Sequence, residues 1–288
     1  MTISKLPISK IMSKSVITLE IPGSREQLLQ AIRKHHFSVF PVVDAEEQRL
    51  RGVVGRREIL RRPLETQLSL LMSEDVPVAK KTHKVAEVAK MMLEKQVSKV
   101  PITNEQNQVE GIVSISDIVW QIISTTKMDV EVADYYTDEI TTVWDGTPAS
   151  ACVPILAHSG QSALPILVGK SLRMGGIISG NDLLKIAEVR SGTSSSAMTS
   201  QGVDNDPEWD PASILIIAEK TLTVPDRPVR EIMTRDVVSC YEFSLMSDVA
   251  KKSKEHQIDQ LPVVDEEGNL LGLLTNWHML QAFVDSSK

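Results

Sequence analysis

Apolar positions along this chain follow two different periods. Short runs of three or four residues, each broken by a proline, alternate with longer stretches in which apolar residues fall three and four apart. Val85, Val88, Ala89, Met92 and Leu93 keep the second spacing, while Glu87, Lys90 and Glu94 fall on the other side. That pattern predicts an amphipathic helix. Leu28, Leu29, Ile32 and Phe37 predict another. The proline-bearing runs, Phe40-Pro41-Val42-Val43, Val100-Pro101-Ile102, Leu164-Pro165-Ile166-Leu167 and Leu261-Pro262-Val263-Val264, predict strands. Proline has no N–H to give to a ladder, so each is expected at a strand start or a sheet edge.

Ten or eleven residues after each proline, a glycine opens a further apolar run: Gly52, Gly111, Gly176 and Gly272. Turn-forming residues such as Asp265-Glu266-Glu267-Gly268-Asn269 separate three of the pairs, which predicts hairpins. A methionine-containing lead-in precedes three of the copies, at Ile11-Met12, Leu71-Met72 and Ile232-Met233. A short strand follows it, as in Val16-Ile17-Thr18 or Val237-Val238-Ser239, and a closing helix ends the copy, as over 117–123 or 181–189. The chain is therefore expected to be an α+β protein with four copies of strand-helix-strand-strand-helix.

A unit this short buries little core alone, so the copies are expected to pair sheet against sheet. One pair is residues 1–126, with repeats at about 8–62 and 68–126. The other is 127–288, with repeats at about 134–190 and 229–288 and an insertion at about 190–228. The insertion starts Ser191-Gly192-Thr193-Ser194-Ser195-Ser196, which reads as a flexible loop, and continues through an acidic turn at 204–211. The apolar run 213–220 fits an extra strand or an extra helix.

Composition narrows the function. The net charge is −7, and the densest basic stretch (Arg49, Arg51, Arg56, Arg57, Arg61, Arg62) is interrupted by apolar residues, which argues against a general nucleic-acid binder. The four tryptophans lack interleaved basic residues, so no single-strand stacking platform is expected. Cys152 and Cys240 have no metal-ligand spacing and are expected to be buried. His35-His36 reads as a helix end and Met91-Met92 as core. No zinc spacing, phosphate-loop, nucleophile-elbow or dinucleotide motif occurs, so neither a metal nor catalysis is expected. Residues 1–11 carry no signal-type apolar stretch and no run approaches a membrane span; the chain is expected to be cytoplasmic, with no membrane partner.

The glycine runs end where a helix should begin. In repeat two, Ser114 and Ser116 stand at that point, with Ser116 read as the N-cap and Asp117 in the first turn. A helix N-terminus suits a phosphate, and a carboxylate beside it can accept from a ribose diol. Asp117 is equally a capping acid favoured by the helix dipole. Taken alone, Lys99 reads as a solvated surface lysine; Arg56 and Arg57 fit phosphate, acidic neighbours or open surface.

Four recurrences of Gly-x-x-Ser/Thr-x-x-Asp behind a proline strand, substitutions included, resemble cystathionine-beta-synthase (CBS) domains, and the two pairs resemble two Bateman modules. Repeat two, Gly-Ile-Val-Ser-Ile-Ser-Asp-Ile, is similar to the gamma subunit of AMP-activated kinase, and the whole chain to stand-alone archaeal and bacterial proteins of this layout. The resemblance implies ligand sites between paired repeats. In repeat two it implicates Val78, Ser98, Lys99, Ser114, Ser116 and Asp117. In repeat three it implicates Ile140, Thr141 and Thr142, whose backbone resembles a segment that reads adenine, with Ser162, Ser179, Asn181 and Asp182. Gln161-Ser162-Ala163 offers no base, so repeat three is expected to make fewer phosphate contacts.

Repeats one and four depart from the pattern. Repeat one has Gly55 and Glu58 in place of the hydroxyl and aspartate, with Arg56 and Arg57 as weaker candidates. Repeat four keeps Thr275 but has His278, which cannot accept twice from a diol. One strong site per module is therefore expected. The implied ligand is AMP, ADP or ATP, with S-adenosylmethionine as a further candidate, and the implied role is regulatory signalling to a partner. The alternative is a protein whose main partner is macromolecular, such as a regulated enzyme, a transporter or the ribosome in dormancy. The two modules are expected to form a disc within one chain or through a homodimer.

Overall fold

The computed structural model describes residues 6–35, 37–62, 64–169, 173–197 and 214–287. Repeat one runs β1 (Leu19–Ile21), α1 (Arg25–His35), β2 (Val39–Asp44), β3 (Leu50–Gly55) and α2 (Arg56–Arg61). A short helix, α3 (Leu68–Leu71), leads to repeat two, with α4 (Val85–Lys95), β4 (Lys99–Thr103), β5 (Val109–Ser114) and α5 (Ile115–Gln121). Repeat three is β6 (Val143–Trp144), α6 (Ala149–Ser159), β7 (Ala163–Leu167), β8 (Met174–Ser179) and α7 (Gly180–Ile186). A hairpin of β9 (Glu188–Ala197) and β10 (Ile214–Thr223) precedes repeat four, which has α8 (Met246–His256), β11 (Gln260–Val264), β12 (Leu270–Thr275) and α9 (Asn276–Ser286).

Each repeat is built on one antiparallel hairpin, with the first strand added in parallel on the far side. That strand is β1 in repeat one and β6 in repeat three. In repeats two and four it shrinks to single bridges, Ala79 to Ile102 and Cys240 to Val263. The first strands thus lie later than local β-propensity suggests. Val16-Ile17-Thr18 precedes β1, and Ile140-Thr141-Thr142 precedes β6, because pairing with the proline strand sets the register.

The prolines do not sit at strand starts. Pro41 and Pro165 are third in β2 and β7, which are central strands, and Pro101 and Pro262 are third in β4 and β11, which are edge strands of two-stranded sheets as expected. The residues across the ladder explain how this is tolerated. Pro41 faces Val53, Pro101 faces Ile112, Pro165 faces Ile177 and Pro262 faces Leu273. Each of those four turns both main-chain groups away from the proline, to a lead-in segment on its other side. Val53 exchanges both bonds with Ser73, Ile112 with Ser13, Ile177 with Thr234 and Leu273 with Thr137, at 2.8–3.2 Å. No hairpin bond falls opposite a proline.

The lead-ins are exchanged between partners. That of repeat one lies on β5 of repeat two, and that of repeat two lies on β3 of repeat one; repeats three and four reciprocate in the same way. This pairs the repeats into two modules, one with two and three with four, and covers the open hairpin edges. It also accounts for the glycines, each one residue before the exchanging position. A Cβ on Gly111 would stand 2.8 Å from the Met12 sulfur and 3.1 Å from the Ser13 carbonyl oxygen. On Gly176 it would stand 2.6 Å from the Met233 sulfur, and on Gly272 it would collide with the Thr137 carbonyl and the Tyr136 ring.

Helices join the modules. Met92, Ile118, Val119 and Ile122 of repeat two share one buried core with Val249, Ala250, Met279 and Phe283 of repeat four. The Trp120 indole N–H donates to Ser253 Oγ at 2.9 Å across that junction. Leu184 and Ala187 of repeat three join Leu28, Ile32 and Ile59 of repeat one, and Arg61 Nε donates to the Ala157 carbonyl at 3.1 Å.

Local readings differ in several places. Phe37 lies beyond the end of α1 and is 46% exposed, stacked on His35 at 6.0 Å, so it is not part of the helix face. His36 lies outside the described residues. Met92 is fully buried and Met91 packs partly against the same core. α7 stops at Ile186, and Ser191–Ser196 lies in β9 instead of a flexible loop. An antiparallel partner, Ile214–Thr223, supplies a ladder that serine-rich composition does not announce. The acidic turn 204–211 lies outside the described residues. Both cysteines are buried, and burial pushes their thiols up to about 11 for Cys152 and about 12 for Cys240.

Candidate functional site

All four glycine strands end in the same local device. The residue at the strand end is extended, and the third helical residue reaches back to its N–H. Asp117 Oδ2 accepts from the Ser114 N–H at 2.8 Å, Asp182 Oδ2 from the Ser179 N–H at 3.0 Å, and Glu58 Oε2 from the Gly55 N–H at 2.9 Å. In repeat four, His278 Nδ1 accepts from the Thr275 N–H at 3.2 Å. In repeats two and three the cap is reciprocal, since Ser114 and Ser179 accept in turn from the Asp117 and Asp182 N–H groups; in repeats one and four only the bond accepted by Glu58 or His278 is made. The N-cap of α5 is therefore Ser114, not Ser116: Ser114 carries the extended backbone (φ −113°, ψ 164°) and accepts from the Asp117 N–H at 3.1 Å.

The aspartates are thus capping acids, and what remains for a ligand is their second oxygen. Ser114 Oγ donates to Asp117 Oδ2 at 2.6 Å, leaving Oδ1 of Asp117 with no hydrogen bond among the described residues. Ser179 Oγ donates to Asp182 Oδ2 at 2.7 Å, but Asp182 Oδ1 also accepts from the exposed Lys185 Nζ at 3.2 Å. The histidine keeps the capping role through a ring nitrogen that must be unprotonated, and burial holds His278 below its ordinary value.

Lys99 lies directly across the β4–β5 ladder from Ser114. It is half-buried and, like Arg56 at the start of α2, makes no side-chain hydrogen bond or ion pair among the described residues. Burial pulls the Lys99 ammonium below its ordinary value; Asp117 pushes it up, Arg56 pulls it down and Asp259 pushes it up. Burial likewise pulls Arg56 down, against Asp259 and Asp182. Two sequestered cations from module one therefore share a region with carboxylates from both modules.

The remaining candidates divide. Ser116 accepts from Asn276 Nδ2 at 3.0 Å, a bond across the modules. Ser162 Oγ donates to Gln260 Oε1 at 2.7 Å and to Asp259 Oδ1 at 3.4 Å. Asn181 is half-buried in the first turn of α7 and Thr275 is half-buried at the start of α9. Ser98 and Arg57 are exposed, and Val78 is exposed beside the Ala79 bridge. Ile140 and Thr142 flank Thr141, whose main chain is taken up by a side chain: Gln161 Oε1 accepts from its N–H at 2.6 Å, and Gln161 Nε2 donates to its carbonyl at 3.2 Å. A base reading that backbone must displace Gln161.

Asp259, Gln260, Asn276 and Gln161 were not singled out from sequence. A signal existed for three of them, since each falls at a fixed place in the repeat. Asn276 Oδ1 is also buried without a hydrogen-bond partner. Among the described residues no group of three or more His, Cys, Asp or Glu is placed to hold a metal, and no helix is long and apolar enough to cross a membrane.

Comparison with known proteins matches this architecture. The uncharacterized protein MJ1225 of Methanocaldococcus jannaschii is 20% identical over 291 residues, spanning 94% of this chain and 96% of its own. Its crystal structure, described as a candidate archaeal homologue of γ-AMPK, agrees with a TM-score of 0.77 at 19% identity, covering 96% of this chain and 100% of that one; this likeness concerns the fold. A crystal structure of an uncharacterized conserved protein from Pyrococcus horikoshii agrees at 0.65 with 27% identity, over 96% of this chain and 99% of that one. The family model for the CBS domain matches residues 8–65, 68–124 and 229–285. Repeat three, outside those matches, has the same order of elements. With more than half of its residues matched, the chain belongs to the CBS-domain family.

Proposed function

We propose that this protein is a non-catalytic regulator that holds an adenosyl ligand (AMP, ADP, ATP or S-adenosylmethionine) between paired repeats and signals its presence to a partner. The ligand-binding units are the modules 1–126 and 127–288. One arrangement carries the reading. Asp117 keeps an oxygen free at a helix start, Lys99 lies within its electrostatic reach and within that of Arg56, and neither cation has a hydrogen-bonded partner among the described residues. A sequestered cation without a hydrogen-bonded partner is costly, and a ligand of low negative charge supplies one. A ribose diol on Asp117 orients the ligand, and Lys99, Arg56 and Ser116 meet its polar end.

Asp182 is the counterpart in module two, with Lys185 to be moved aside. The groups around Arg56 come from both modules, so a ligand there biases their arrangement by its differential affinity for the two states. The test is mass spectrometry of small molecules released from the purified protein, with calorimetric titration of AMP, ATP and S-adenosylmethionine. Saturable binding of at least one is expected; no adenosyl compound released and none bound contradicts the reading.

A protein partner is the second reading for the main role. Tyr241 and Phe243, on the loop before α8, are 56% and 73% exposed, and neighbouring aromatic residues of this kind favour an interface. Partner capture that survives loss of ligand binding but not Tyr241→Ser/Phe243→Ser supports that reading.

A further inference from the structure

The residue before each proline strand's ladder occupies an equivalent place in all four repeats. Val39 pairs with Gly55, Lys99 with Ser114, Ala163 with Ser179 and Gln260 with Thr275. One residue earlier stand Ser38, Ser98, Ser162 and Asp259. Each uses its carbonyl in the same way, accepting from the first helical N–H: Arg56 to Ser38 at 3.2 Å, Ile115 to Ser98 at 3.0 Å, Gly180 to Ser162 at 3.4 Å and Asn276 to Asp259 at 2.8 Å. The backbone frame is thus common, and only the side chain changes. Three repeats present a hydroxyl beside the helix start, and the fourth presents a carboxylate.

That carboxylate is turned toward the neighbouring repeat: its Oδ1 lies 3.4 Å from Ser162 Oγ, whose proton goes chiefly to Gln260 Oε1 at 2.7 Å. Asp259 also adjoins the first module: its carbonyl accepts from the Asn276 N–H at 2.8 Å, and Asn276 Nδ2 donates to Ser116 Oγ at 3.0 Å, two residues from Ser114, which pairs with Lys99; its charge favours the charged forms of Lys99 and Arg56. We propose that Asp259 is a resident stand-in for a ligand phosphate, which makes the site around Lys99, Ser116 and Arg56 select adenosyl ligands of low negative charge over triphosphates. This rests on the proposal that the site takes an adenosyl ligand. With Lys185 on Asp182, three cations there meet three carboxylates, Asp117, Asp182 and Asp259, so positive charge is already balanced before any ligand arrives. Each further phosphate adds repulsion with Asp259 at the effective dielectric of a partly buried site. A nucleoside, a monophosphate or the cationic sulfonium of S-adenosylmethionine incurs less of it.

The test is calorimetric titration of the full chain and of Asp259→Ser with adenosine, AMP and ATP. Asp259→Ser restores the residue of the other three repeats. It is expected to tighten ATP about tenfold or more while adenosine changes less than about twofold. Asp259→Asn, nearly isosteric, is expected to follow the same order, and Ser98→Asp the opposite one. If the three ligands bind but Asp259→Ser and Asp259→Asn leave the ATP-to-adenosine ratio unchanged, Asp259 has no such role. If no adenosyl ligand binds any variant, the ligand reading falls, and the selectivity falls with it.

Discussion

Ser13 and Ile112, on different repeats of the first module, exchange both main-chain hydrogen bonds, at 2.9 and 3.0 Å. Ile112 faces Pro101 across the hairpin and follows Gly111 in sequence. One relationship therefore explains both repeated residues. The proline is harmless because its neighbour's groups are committed elsewhere. The glycine is needed because the partner's lead-in passes close over it.

Close approach ranks the glycines. At Gly111 the nearest obstacle is the Met12 sulfur, the far end of a flexible side chain, whereas at Gly272 it is the Thr137 carbonyl and the Tyr136 ring. Gly111→Ala is expected to cost about 1–3 kcal/mol, as overpacking generally does, and Gly272→Ala is expected to cost more. Urea unfolding of the two variants checks the order; equal, near-zero losses would show that the lead-ins do not pack this closely.

His278 makes stability sensitive to acid. Burial lowers its folded value below the ordinary 6.5. The unfolded chain therefore binds a proton here more readily than the folded one. Its stabilising contribution is present above about 6.5 and is lost as pH falls through the depressed folded value. His278→Gln, which keeps a capping acceptor without a titrating group, is expected to flatten the decline between neutral pH and pH 5 in urea unfolding. Parallel curves for the two proteins would remove His278 from the account.

Lys99 gives binding its own pH dependence. Its folded value is lowered by burial, and a bound anion pushes it back up. Affinity for AMP is expected to fall as pH rises through that depressed value, before an exposed lysine would titrate, with proton uptake on binding in the same window. Lys99→Arg, which holds its charge, is expected to flatten the profile. Calorimetry in buffers of different ionisation enthalpy measures the uptake; none at alkaline pH, with unchanged affinity, would exclude Lys99 from the site.

The order of elements was legible because it rests on periodicity that each copy carries locally. The apolar spacing in α4 and the proline and glycine runs name their own structures. The exchange of lead-ins was not legible, since Ser13 and Ile112 are far apart in sequence and nothing in either residue type names the other. For the same reason Ser191–Ser196 read as a loop until its partner strand was known. At the site, the sequence pointed to Asp117, Lys99 and Asp182. Asp259 shares its place, three residues before the proline, with Ser38, Ser98 and Ser162, but the sequence does not show that it lies against Ser162 of another repeat; the fold brings the two together. Ser116 was misassigned as the cap because either serine suits a helix start; the extended backbone at Ser114 decides between them.

The central claim is that Asp117 and Asp182 each present a second carboxylate oxygen to an adenosyl ligand. Asp117→Asn/Asp182→Asn keeps an oxygen for each cap and removes the charged acceptor. Calorimetric titration with AMP, alongside thermal unfolding to establish that the variant is folded, is the most direct measurement. The account predicts a loss of roughly 1.5–3 kcal/mol, about 10- to 150-fold in affinity. Wild-type affinity in the folded double variant would contradict it.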